Sequence, residues 1–272
     1  MIAQEDVRLR VTLHYDGTRY YGWQLQPRAP TVQGEVERIV ARLTGGPRTV
    51  LASGRTDRGV HATGQVISLL VPPTWTAERF LRALNALLPD DIWAADAAEV
   101  PPDFHPRYDA RERTYVYRVG LAPQAASPFA RPWCWPLSDA LDLGLLADAT
   151  ARIPGERSFK AFARAGQPER GDRCHVTRAV WRPWALGQEL VVAADRFLHH
   201  MVRYLVGTLV DVSRGRRPLA DLDALLAGGP GVSTSPPAPP SGLVLAHVRY
   251  EGEPAPDPAA LALPFTSSTG VV

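Results

Sequence analysis

Ser53-Gly54-Arg55-Thr56-Asp57-Arg58-Gly59-Val60-His61-Ala62-Thr63-Gly64-Gln65-Val66 is the stretch on which this chain turns. Glycines at 54, 59 and 64 mark a backbone that bends sharply or approaches something closely. Asp57 is its one carboxylate, and Arg55 and Arg58 lie beside it. Apolar runs at 49–52 and 66–71 flank the stretch, and both read as buried strands. A loop therefore presents one acid between two rigid elements, a common setting for a functional side chain. The plainer alternative is an aspartate that caps a turn.

Upstream, Val7, Leu9, Val11 and Leu13 alternate with Arg8, Arg10, Thr12 and His14, the pattern of a half-buried strand over 7–15. Asp16-Gly17 ends it in a turn. Thr18-Arg19-Tyr20-Tyr21-Gly22-Trp23-Gln24 follows, dense in aromatics and amides. Tyr20, Tyr21 and Trp23 are either a packed loop or a surface that stacks on nucleic acid. A helix is expected over 31–43, with Thr31 as N-cap, an apolar stripe of Val32, Val36, Ile39, Val40 and Leu43, and a stop at Gly45-Gly46-Pro47. A second helix is expected over 76–88 with Thr76 as cap, then a strand over 92–98.

The second half opens with a strand over 111–119, where Tyr115 and Tyr117 share a face. Helices are expected over 138–152, 196–212 and 218–226, and a strand pair over 176–184 and 190–194 around Gly187. Residues 158–162 are ambiguous. Residues 164–174 read as a polar, mobile loop, 228–242 as a Gly/Pro/Ser-rich connector, 243–250 as a closing strand, and the tail from 253 as loosely ordered. Each half thus opens with a strand and sets helices among further strands. The expected division is 1–105, 106–252 and a tail over 253–272.

The chain has 272 residues, 45% of them hydrophobic and 21% charged, enough apolar content for a sizeable core. Cys134 and Cys174 are too few for a disulfide framework and lack metal-ligand spacing, which fits a reducing cytoplasm. No signal-peptide core or membrane-length apolar run is seen. Of 30 basic residues only Lys160 is lysine. Arginine suits phosphate forks and base stacking. A genome favouring Arg, Ala, Gly and Pro codons accounts for most of that bias, so RNA binding is argued from position and not from composition. No Walker loop, dinucleotide fingerprint or Cys-x-x-Cys pair is found.

Gly54-Arg55-Thr56-Asp57, Gly59-Val60-His61 and Thr63-Gly64-Gln65 together resemble the catalytic loop of the tRNA pseudouridine synthase A family. The resemblance runs from about 7 to 250. It includes the Tyr-Asp-Gly and Tyr-Tyr-Gly-Trp-Gln segments and Phe197-Leu198-His199-His200-Met201-Val202-Arg203. It implies an α+β fold of two pseudo-symmetric α/β lobes sharing a mixed, mainly antiparallel sheet flanked by helices, with an RNA-binding cleft between them. It implies an isomerase without cofactor or metal, acting as a homodimer on uridines 38, 39 and 40 of the tRNA anticodon arm.

By that resemblance Asp57 is the essential carboxylate. Arg55 is the nearby arginine and Arg203 the distant one that the family pairs with the aspartate. Tyr115 stacks on the flipped uracil, and a register slip would put Tyr117 there instead. Leu245, in Gly242-Leu243-Val244-Leu245, lines the uracil pocket. Arg58, His61, Gln65, Tyr21 and Trp23 are the remaining substrate-binding candidates. Arg58 stands where many relatives have a small residue, Thr114 where the family often has a basic one, and the prolines of 236–240 are an insert. Adjacent His199 and His200 would point about 100° apart on a helix, which argues against a shared metal.

Pseudouridylation breaks uracil N1–C1′, turns the base and joins C5 to C1′. It needs one ionised carboxylate at the sugar–base junction, and a neighbouring arginine favours the charged form. The carboxylate attacks covalently or assists C2′ deprotonation, and both routes stay open. A non-catalytic RNA binder of the same fold and a synthase for another tRNA position are the alternatives.

Overall fold

The computed structural model describes residues 5–137, 139–164, 171–229, 231–256 and 261. In chain order the elements are β1 (Val7–Tyr15), α1 (Val32–Thr44), β2 (Leu51–Ala52), β3 (His61–Val71), α2 (Ala77–Asn85), β4 (Ile92–Glu99) and β5 (Glu112–Gly120). They continue with β6 (Trp135–Pro136), α3 (Leu143–Thr150), β7 (Gly155–Ser158), β8 (Arg173–Trp184), β9 (Gly187–Ala194), α4 (Met201–Ser213), α5 (Leu219–Leu226) and β10 (Leu243–Arg249). This is an α+β fold with a mixed, mostly antiparallel strand set.

Two compact units emerge. The first comprises Met1–Arg111 and Leu245–Pro256, and the second comprises Glu112–Val244. The division is discontinuous because β10, from Leu245 on, returns to the first unit, whereas the sequence reading keeps 106–252 together.

In the first unit the strand order is β4-β1-β3-β10, with β2 paired to β3. β1 lies antiparallel to both β3 and β4, with Val7 opposite Val71 and Val11 opposite Ile67. The expected alternation holds: Leu9, Val11 and Leu13 are buried, and the strand continues the same phase to buried Tyr15. The β1–β3 register slips between Leu13 and Tyr15, beside Gln65. Such irregularities re-aim side chains next to functional loops. Thr31 caps α1, its Oγ1 accepting from Gly34 N, and the helix buries Val32, Val36, Ile39 and Val40. Thr76 caps α2, which buries Phe80 and Leu84.

In the second unit the order is β5-β9-β8-β7, neighbours antiparallel, with β6 parallel to β5. Asp142 caps α3. Arg118 of β5 is buried, although strand alternation puts it opposite the tyrosines. Its guanidinium pairs with Glu189 at 3.0 Å, Arg182 holds the other carboxylate oxygen at 2.6 Å, and the Trp184 ring lies 4.9 Å away. A buried charge needs such partners.

Several boundaries differ from the sequence reading. α2 ends at Asn85, short of the expected 88, and Leu87 and Leu88 are only half-buried. α3 is confined to Leu143–Thr150, where Asp142 accepts from Leu145 N and sets the start. Arg173 and Cys174 belong to β8 rather than to a loop, while 165–170 and most of the tail lie outside the described residues. α4 starts at Met201, not at 196, because His200 takes a left-handed conformation (φ 65°) that no helix continues. The histidine pair therefore sits ahead of the helix, and the 100° argument does not apply to it. Their rings lie 4.1 Å apart instead.

Candidate active site

The loop between β2 and β3 carries Arg55, Asp57 and Arg58, with both arginines exposed and Asp57 half-buried. It is shorter than the sequence implied, since His61 already begins β3. At its tip Val60 N donates to Asp57 O at 3.1 Å, closing a turn with Gly59 at φ 76°. Only a residue tolerant of positive φ fits that third turn position, which explains the glycine. This turn bond uses the main chain of Asp57 and not its carboxylate.

Both flanks of the aspartate are gripped by the preceding aromatic segment. Trp23 N donates to Thr56 O at 3.0 Å, and Gly59 N to Tyr20 O at 3.3 Å. The Tyr15 hydroxyl lies 2.8 Å from Thr56 Oγ1. The approach is so close that a Cβ on Gly22 (φ 95°) would come within 2.7 Å of Thr56 O. The carbonyls of Gly22 and Trp23 in turn accept from Val32 N and Gln33 N, two first-turn donors of α1 that otherwise lack intrahelical acceptors. The grip is thus anchored to a helix end.

A second set of bonds secures the loop from β3. Gln65 Oε1 accepts from Ser53 Oγ at 2.7 Å, and Gln65 Nε2 donates to Gly54 O at 2.9 Å. At the far end His61 Nδ1 lies 3.1 Å from both Gly17 N and Asp16 Oδ1. Burial raises the Asp16 pKa, but hydrogen bonds from His61 and Thr18 outweigh it and bring the carboxyl down to about 2.

Three of the expected substrate-binding residues are interior: Gln65 (0% exposed), His61 (2%) and Trp23 (2%) are buried where they hold the loop. Tyr20 is likewise interior: its hydroxyl donates to Asp91 Oδ1 at 2.6 Å, and burial with that bond raises its pKa. Tyr21 differs, being 43% exposed with the Arg58 guanidinium 4.1 Å from its ring centroid. Leu245 is buried in β10.

A family model described as tRNA pseudouridine synthase matches residues 11–109 and 149–251, so the gripped loop lies within its first segment. The chain belongs to the tRNA pseudouridine synthase family.

Proteins named tRNA pseudouridine synthase A resemble it over most of their length. The Moorella thermoacetica protein is 43% identical over 244 residues, covering 89% of this chain and 99% of that protein. The Myxococcus xanthus protein is 40% identical over 260 residues, covering 92% and 95%. The synthase is accordingly an isomerase that acts on tRNA. No helix among its described residues is long and apolar enough to cross a membrane.

The second unit of the synthase holds the other two expected catalytic side chains. Tyr115 is half-buried on β5, its ring edge-on to Phe197 with centroids 5.0 Å apart. Tyr117 is fully buried, and its hydroxyl donates to Pro239 O at 2.8 Å, so of the two tyrosines on this face Tyr115 is the less buried. Arg203 sits in the first turn of α4, its Nε donating to Ala238 O at 2.8 Å. The sequence reading missed Tyr15, Ser53 and Thr56 as loop holders. Tyr15 had a signal: it falls on the apolar phase of β1, and a buried tyrosine hydroxyl needs a partner.

Proposed function

We propose that this synthase isomerises uridine to pseudouridine at positions 38, 39 and 40 of the tRNA anticodon arm, with Asp57 as the catalytic carboxylate. The observation that carries the reading is the grip on the Asp57 loop. Main-chain bonds at Thr56 and Gly59 bracket a half-buried acid within the matched motif. Rigid placement of one reacting group supplies much of an enzyme's advantage. The carboxylate acts at the sugar–base junction, either on C1′ or by assisting loss of the C2′ proton. The N1–C1′ bond breaks, the C5–C1′ bond forms, C5 loses its proton and N1 gains one, with no net redox change.

Tyr115 stacks on the flipped uracil, as aromatic side chains do with splayed RNA bases. Arg203 and Arg55 are the catalytic arginines, and Leu245 borders the base. Tyr21 with Arg58 is a phosphate-and-stacking contact for the RNA. The protein works in the cytoplasm as a homodimer.

Unmodified tRNA incubated with the purified protein, followed by chemical mapping of pseudouridine, tests this reading. Wild type is expected to modify the anticodon arm and Asp57→Ala to give no product while still binding tRNA. Product from both proteins would remove Asp57 from its role. Product elsewhere would move the site, and salt-dependent binding without product would leave an RNA binder.

A further inference from the structure

The proline-rich segment ahead of β10 is strapped to α4. Arg217 of the α4–α5 connection donates to Ser233 O at 2.9 Å and to Ser235 Oγ at 3.0 Å. Ser235 N donates to Thr208 Oγ1 at 3.3 Å. Pro236 lies so close to the helix that a Cβ on Gly207 would come within 2.1 Å of its carbonyl oxygen. Ala238 and Arg203 then exchange two bonds: Ala238 N donates to Arg203 O at 2.9 Å, and Arg203 Nε donates to Ala238 O at 2.8 Å. One residue later, Pro239 O accepts from the hydroxyl of fully buried Tyr117.

The composition of the strap explains why this arrangement is stiff. In Pro236-Pro237-Ala238-Pro239-Pro240 the four prolines have fixed φ and no N–H. Ala238 carries the only main-chain donor of the five, and it is spent on Arg203. A bond at Nε fixes the plane of a guanidinium, and the two Nη atoms take no part in it. Tyr117 in turn pins the strap from β5, a separate element of the same unit.

We propose that the 233–242 strap is a positioning element that sets the Arg203 guanidinium, with Tyr117 and Ala238 as its positioning residues. This rests on the reading of Arg203 as a catalytic group. The proline-rich segment is, on this view, part of the catalytic frame rather than a passive linker.

Tyr117→Phe keeps the ring and removes only the hydroxyl. Thr208→Val loosens the strap at its other end and serves as the second variant if the first fails to fold. Two readouts are needed. The first is hydrogen exchange of the Arg203 Nε–H by NMR, assigned with Arg203→Lys, which does not depend on turnover. The second is steady-state kinetics with tRNA.

The expected result for Tyr117→Phe is Arg203 Nε–H exchange at least about tenfold faster. kcat falls about tenfold with KM within twofold, short of the roughly hundredfold that a 1 Å misplacement costs. Thr208→Val moves both in the same direction by less. Unchanged exchange, or a rise in KM with kcat intact, overturns the proposal. Faster exchange with kcat unchanged, while Arg203→Lys abolishes turnover, overturns the strap's catalytic role and leaves the synthase reading standing. If the wild type makes no pseudouridine although its Nε–H is protected, the synthase reading falls and the catalytic role of the strap falls with it.

Discussion

The hydroxyl of Tyr15, the last residue of β1, lies 2.8 Å from Oγ1 of Thr56, the residue before Asp57. Both partners are buried, so losing the bond leaves a polar group shielded from water. Tyr15→Phe leaves Thr56 without that partner and should cost about 1–3 kcal/mol, the penalty for an unsatisfied buried polar group. Urea unfolding would measure this. Single-turnover rates on tRNA should also fall, and an unchanged rate would mean that the Tyr15–Thr56 bond does not set the Asp57 loop.

Gly22→Ala should do more damage than its size suggests. The new Cβ meets Thr56 O at 2.7 Å, on a residue whose φ is 95°. Overpacking costs about 1–3 kcal/mol, and left-handed backbone on an L-residue adds about 1–2 kcal/mol. A thermal melt should show the loss. Gly46→Ala, where an added Cβ would meet nothing within 4 Å, is the control.

Arg58 lies over the exposed Tyr21 ring, 4.1 Å from its centroid. Arg58→Ala should weaken tRNA binding about equally across tRNA sequences. The slope of log affinity against log salt should fall by about one contact, with single-turnover kcat unchanged. An unaltered slope would show that Arg58 only braces Tyr21.

Asp16 gives a pH signature. Its folded pKa, about 2, lies below the ordinary 3.8. A carboxyl depressed on folding contributes stability that is fully present above the unfolded value and lost as pH falls through the folded one. Wild type should therefore be more stable than Asp16→Asn at pH 5, and the gap should narrow between pH 4 and 2. Melting temperatures of the two proteins over that range check this, and a constant gap would mean that Asp16 is not the group responsible.

Much of this protein was legible in its residues. The strict alternation of Val7, Leu9, Val11 and Leu13 set β1, the Thr31 and Thr76 caps set two helix starts, and the Ser53–Val66 motif pointed to the acid and its family. Those signals are local: periods of two or 3.6 residues, turn glycines, short spacings. What lay beyond them depended on contacts between residues distant in sequence. His61, Gln65 and Trp23 are polar or aromatic residues near the acid, a description that fits substrate contacts and loop supports equally. Only burial and partners such as Ser53, Gly54 and Gly17 made them supports. The start of α4 was misplaced because the apolar stripe runs through Phe197 and Leu198, while the left-handed turn at His200 leaves no periodic trace. The prolines of 236–240 read only as part of a connector. Arg203 and Ala238 are 35 residues apart, and only packing against the glycine face of α4 brings their main chains within bonding distance. Sequence determined the family and singled out the Asp57 loop; tertiary structure decided what holds that loop still, because rigidity comes from long-range hydrogen bonds and close packing that no short window contains.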